Sequence, residues 1–177
     1  LHMPRSRPSL VPRPHLIDKL NQGLSGKLTL VSAPVGFGKT TLVTEWAMAC
    51  DMPTAWLSLD EEDSEPVRFW RYFIAGLQTI QAGFGEEILP LFLETLRLRT
   101  AVAALINAIS KTPHHIIFVL EDYHLIQSEA LQESLTYFLE RQPPPLHLVI
   151  TTREDPPIPL PRWRARGELV EIRERDL

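Results

Sequence analysis

A chain of 177 residues, 44% hydrophobic and 23% charged, is long enough to bury one sizeable core and too short for two ordinary domains. Its net charge of −4 gives no general attraction to nucleic acid, and no apolar run approaches the ~20 residues that span a bilayer. The single cysteine, Cys50, excludes an internal disulfide framework, so composition points to a soluble domain of a reducing cytoplasm, with neither nucleic acid nor membrane as a direct partner.

Residues 1–14 read as an N-terminal arm, with Leu1 to Met3 resembling a cloning remnant and Pro4, Pro8, Pro12 and Pro14 interrupting any regular element. The domain is expected over 15–177. Leu16, Ile17, Leu20 and Leu24 recur at helical spacing until Gly23 and Gly26. Lys27 to Ala33 then reads as a strand, a glycine-rich loop follows, and a helical pattern runs from Lys39 to about Cys50. Thr54 to Leu59 is the second strand candidate. Trp70, Phe73, Ile74, Leu77 and Ile80 mark a helix with Pro66 in its first turn, ended by Gly83 and Gly85.

Further helices are expected over Glu86–Leu98 and Thr100–Lys111. His115 to Leu120, nearly all apolar, has the pattern of a central parallel strand buried on both faces. Ser128 is placed to cap a helix carrying Leu131, Leu135, Phe138 and Leu139, closed by Pro143. Leu146–Thr152 and Glu168–Ile172 complete the strands. Strands alternating with helices imply an α/β fold, a three-layer sandwich around a parallel sheet.

Polyphosphate requires backbone N–H groups turned into a loop that opens on a helix N-terminus, where the positive end of the helix dipole meets the anion. Ala33-Pro34-Val35-Gly36-Phe37-Gly38-Lys39-Thr40-Thr41 supplies that arrangement, a P-loop. Gly36 and Gly38 allow positive φ and close approach, Lys39 offers a cation to the β- and γ-phosphates, and the Thr40 hydroxyl suits Mg²⁺. The pattern departs from G-x-x-x-x-G-K-[ST] at its first position, which holds Ala33, and gains a glycine at Gly36.

Ligands of such sheets bind at the carboxyl ends of the strands. Glu121 and Asp122 follow the HIIFVL strand; Glu121 is assigned to the Mg²⁺ shell and Asp122 to water positioning, roles the two can exchange. Thr151, Thr152 and Arg153 end the LHLVITT strand, where Arg153 either senses the γ-phosphate or pairs locally with Glu154 or Asp155. The histidines lack a zinc spacing, and His124 alone follows the acidic pair closely. Arg162, Arg164 and Arg166 around Trp163 read as a solvated basic loop, and Trp46, Trp56, Phe69, Trp70 and Phe73 as core.

The strings LTLVSAPVGFGKTTLVTEWA, TAWLSLDEEDSEPVRFWRYFIAGLQ, FVLEDYHLI and LHLVITTREDPP together resemble the nucleotide-binding domain of MalT-like, ATP-dependent LuxR-type transcription regulators, a branch of the STAND signalling ATPases. The resemblance covers about Val11 to Ile172. It implies strand order 5-1-4-3-2, ADP held at rest and exchanged for ATP, slow hydrolysis, a homo-oligomer in the ATP state, and adenine contacts from Val11 to His15, where Arg13 falls. It also implies a winged-helix domain, a sensor and a DNA-binding domain elsewhere, none of which fits into this chain. The family's acidic pair is Asp-Asp; with Glu121-Asp122 here, hydrolysis is less secure than binding, and Glu121→Asp is expected to keep binding and raise turnover. Two other functions fit the residues: a nucleotide-gated interaction module without significant hydrolysis, and a P-loop kinase acting on a small molecule.

Overall fold

The computed structural model describes residues 3–4, 13–93 and 98–177. Most of the arm, and Val11 and Pro12 of the expected adenine segment, lie outside the described residues. Five segments become five parallel strands: β1 Leu28–Ser32, β2 Thr54–Ser58, β3 Ile116–Glu121, β4 Leu146–Thr152 and β5 Leu169–Arg173. Their order, β2-β3-β4-β1-β5, is 5-1-4-3-2 read from the other edge, as the resemblance implied. The three central strands are buried along their whole length, because helices cover both faces of the sheet.

Side-chain alternation along β3 divides the core in two. Ile117 and Val119 join Trp56, Val31 and Val149 under α1 (Pro14–Gly23) and α2 (Lys39–Ala49), whose Leu16, Leu20, Val43 and Trp46 close that layer. Ile116, Phe118 and Leu120 face the opposite layer, made by α3 (Pro66–Gln78), α4 (Leu98–Ile109), α5 (Glu129–Glu140) and α6 (Leu160–Ala165). There the Phe73 ring stacks on Phe118 at 3.9 Å between centroids, and Trp70 packs on Phe73 and Phe138. The side chain of Ser128 accepts the Leu131 N–H and caps α5 as its spacing predicts.

Two expectations are corrected. The expected helix over 86–98 is not an α-helix where it is described: Leu89–Leu93 forms a short 3₁₀ turn, consistent with Pro90 in the run and with positive φ at Gly83 and Gly85. The stretch around Trp163 is not a solvated loop but α6, with Trp163 buried; Arg162 pairs with Glu140, and Arg164 with Glu171 on β5 at 2.7 and 2.9 Å. The Arg164 and Arg173 guanidiniums hold the Glu171 carboxyl down at about 2. Arg162 and Arg164 are thus tied to the fold by ion pairs while their side chains stay exposed, as Arg166 does.

Candidate functional site

α2 begins without a side-chain cap. Its N-cap is Gly38 at φ +81°, no acidic residue lies in its first turn, and the first-turn N–H groups of Lys39, Thr40 and Thr41 therefore meet an open loop. Gly36 at φ +89° makes the second left-handed turn, in open space where a side chain would strain the backbone rather than clash. Pro34, Val35, Gly36 and Phe37 form the exposed tip, and Ala33 is anchored beneath it by its N–H to the Thr152 carbonyl. An anion at this position would meet backbone donors and a helix dipole together.

Lys39 is buried rather than projecting. Its ammonium donates to the carbonyls of Ala33 at 2.7 Å and Pro34 at 3.0 Å, folding the side chain back over its own loop. Burial pulls its pKa below the ordinary lysine value, Asp122 opposes that pull, and the Arg153 charge adds to it. Exchange of two neutral carbonyl partners for phosphate oxygens is favourable for a desolvated cation. Arg13 lies on the same loop, its guanidinium 3.5 Å from the Phe37 carbonyl and 3.6 Å from where a Gly38 side chain would begin.

Glu121 ends β3 almost fully buried, 7% exposed, and accepts three hydrogen bonds. Thr40 donates to Oε1 at 2.5 Å; the Trp56 indole and the Ser58 hydroxyl donate to Oε2 at 3.0 and 2.6 Å. Because the Thr40 proton is directed at Glu121, the hydroxyl lone pairs remain for a cation beside the loop. A divalent ion fits this donor set: Thr40 and Glu121 would hold it, and phosphate oxygens would complete the shell, since no group of three or more His, Cys, Asp or Glu gathers for a metal among the described residues. Trp56 read as core in the sequence. It is core, and its N–H is also part of the site; the signal available was only its place on β2, next to the strand that bears the acidic pair.

Asp122 adopts the left-handed conformation, φ 59°, the only non-glycine to do so among the described residues. Its N–H donates to the Thr151 hydroxyl at 3.2 Å, and its carboxylate is partly exposed. Thr151 and Thr152 are buried and already engaged, Thr152 with the Glu154 carbonyl, so of the β4 end only Arg153 is exposed. Arg153 forms no ion pair with Glu154 or Asp155 among the described residues; Asp155 binds Arg173 instead. His124 sits 3.9 Å from Asp122, and burial first, then the Arg153 charge, lowers its pKa. His147 is structural. Gly26 offers it a carbonyl at 3.0 Å, so Nδ1 carries the proton and Nε2 accepts from the Thr29 hydroxyl at 2.9 Å.

The sheet order, the glycine loop opening α2 and the carboxylate at the end of β3 define a P-loop ATPase fold. No family model matches the chain. Curated relatives do: the HTH-type transcriptional regulator MalT of Cronobacter sakazakii is 34% identical over 94% of this chain, that of Serratia proteamaculans 36% over 93%, and that of Yersinia enterocolitica 35% over 94%. The chain belongs to the MalT-like family, over a segment that spans only 18–19% of those relatives' length. Among solved structures it is similar to a STAND ATPase with a tetratricopeptide-repeat sensor from Pyrococcus horikoshii, at TM-score 0.60 and 16% identity, over 97% of this chain and 24% of that one. It is also similar to a Walker-type ATPase of Pyrococcus abyssi, at TM-score 0.51 and 17% identity, over 83% and 46%. Both share its fold. The family drawn from the sequence strings is thus borne out.

Proposed function

We propose that the domain binds Mg²⁺·ATP and hydrolyses it slowly, as the switch module of a signal-responsive, cytoplasmic transcription regulator in which exchange of ADP for ATP governs self-association. The Thr40–Glu121 hydrogen bond carries the reading, because it joins the loop that suits phosphate to the strand end that suits the metal. Lys39 leaves the Ala33 and Pro34 carbonyls for the β- and γ-phosphates, and the first-turn amides of α2 orient them. Bound Mg²⁺ supplies charge neutralisation between those phosphates. Asp122, partly exposed beside Glu121, orients or deprotonates the attacking water. Arg153 senses the γ-phosphate, and Arg13, whose guanidinium reaches the Phe37 carbonyl, contributes to holding the adenine nucleotide.

In a longer regulator, winged-helix, sensor and DNA-binding domains would read this state, the module at 15–177 touching neither DNA nor membrane. Among the described residues no helix is long and apolar enough to cross a membrane. A second reading, a nucleotide-gated interaction module without significant hydrolysis, is favoured by Glu121, whose two oxygens already accept three donors. Molecular mass measured by light scattering with ADP, with ATP and with a non-hydrolysable analogue tests the proposal. A switch gives a larger species with ATP that decays as ATP is consumed and persists with the analogue. A mass independent of the nucleotide contradicts it.

A further inference from the structure

Glu121 occupies a position where the resemblance places aspartate, and the longer side chain reaches across to β2. Ser58 is the register partner of Glu121, and Trp56, two residues earlier, projects from the same face of the sheet. Both donate to the same oxygen, Oε2, while Thr40 takes Oε1. A carboxylate offers about four lone-pair sites, so three are filled and the fourth lies on Oε1, beside Thr40.

An indole N–H donates and never accepts, and Trp56 is 2% exposed, so its N–H has no water to turn to. A cation approaching Oε2 would have to expel that donor and the Ser58 hydroxyl together. The clamp therefore leaves one oxygen for the metal side.

We infer that Trp56 and Ser58 are positioning residues: they fix Oε2 of Glu121 and so present Oε1, with the Thr40 hydroxyl, as the half of the carboxylate that meets a nucleotide-bound divalent cation. The inference rests on the reading of Lys39, Thr40 and Glu121 as a Mg²⁺·nucleotide site and adds to it the means by which glutamate replaces aspartate. It also extends the site to the edge strand β2, whose last residue, Ser58, is exposed and stands just ahead of the reciprocal Asp60–Asp63 cap that Arg68 of α3 binds. Partners that orient a metal ligand contribute about 10- to 100-fold in metal affinity, and these two orient this one.

The test is the ratio of ATP affinity with Mg²⁺ to that with EDTA, measured by calorimetry on the parent, Ser58→Ala, Ser58→Thr, Trp56→Phe and Lys39→Ala. Ser58 is exposed, so its alanine variant should keep the melting temperature of the parent in the absence of nucleotide. Its Mg²⁺-dependent gain should fall about tenfold or more, and Ser58→Thr, which keeps the hydroxyl, should restore it. Trp56→Phe should shift the ratio in the same direction. A Ser58→Ala ratio equal to the parent's, with Lys39→Ala no longer binding, overturns the clamp and leaves the site intact. ATP binding to Lys39→Ala as tight as to the parent, or a parent indifferent to Mg²⁺, overturns the site and the clamp with it.

Discussion

Glu121→Asp separates what the structure adds from what the sequence suggested. Removing one methylene draws the carboxylate back by about 1.5 Å, one C–C bond length. The Ser58 and Trp56 contacts, 2.6 and 3.0 Å in the native protein, then open beyond hydrogen-bonding range. Ser58 is exposed and Thr40 half-buried, so water replaces their lost partner at little net effect. The Trp56 indole is enclosed, and an enclosed donor without an acceptor costs about 1–3 kcal/mol. The methylene withdrawn from a buried site adds about 1 kcal/mol. The expected loss is thus about 2–4 kcal/mol, read as a lower urea midpoint at pH 7 with an unchanged m value. Glu121→Gln, of the same length and still able to accept from Trp56, should lose less. Turnover should fall in the aspartate variant, opposite to the rise expected when Glu121 is considered as a metal ligand alone. An unfolding free energy within about 0.5 kcal/mol of the parent's would refute the clamp as a source of stability.

Further outcomes follow from other parts of the molecule. A side chain at Gly76 would begin 2.8 and 2.9 Å from the Phe118 ring, which is pinned against Phe73; Gly76→Ala should therefore destabilise by about 1–3 kcal/mol despite alanine's higher helix propensity, and a variant as stable as the parent would contradict that packing. Burial holds the His147 pKa below 6.5, so the unfolded chain binds the extra proton first; stability is full above about pH 6.5 and is lost as pH falls toward the folded value, by at most ~1.4 kcal/mol per unit for one proton. His147→Gln should flatten that slope between pH 5 and 7 in denaturant titrations, leaving the share owed to His124, and an unchanged slope would place the proton uptake elsewhere.

The strands and the loop were legible because each is written locally. β3 is an apolar run up to Glu121, β1 and β4 are mostly apolar with Thr29 and His147 inside them, and the spacing of Gly36, Gly38 and Lys39 follows from what a phosphate-cradling turn requires. The strand order was not local; it came through the resemblance, since no periodicity says which strands are neighbours. What failed had tertiary causes. The 160–166 stretch looks polar because three arginines surround Trp163, yet Glu140 and Glu171, on other elements, neutralise two of them and let the tryptophan bury. The run after Gly85 has helical composition, but Pro90 and two left-handed glycines set its start. Trp56 and Ser58 escaped as site residues because their role exists only once Ser58 and Glu121 come into register. The sequence marks Lys39 as the cation of the loop but not where its ammonium rests; with no acidic residue in the first turn of α2, the Ala33 and Pro34 carbonyls are the acceptors it takes.

One titration decides whether the loop of α2 holds a nucleotide. Mg²⁺·ATP added to the protein in a calorimeter should bind at one site per chain, and Lys39→Ala, which removes the cation now held by the Ala33 and Pro34 carbonyls, should show no measurable heat at the same concentrations while remaining folded. A Lys39→Ala protein that binds Mg²⁺·ATP as tightly as the parent would contradict it.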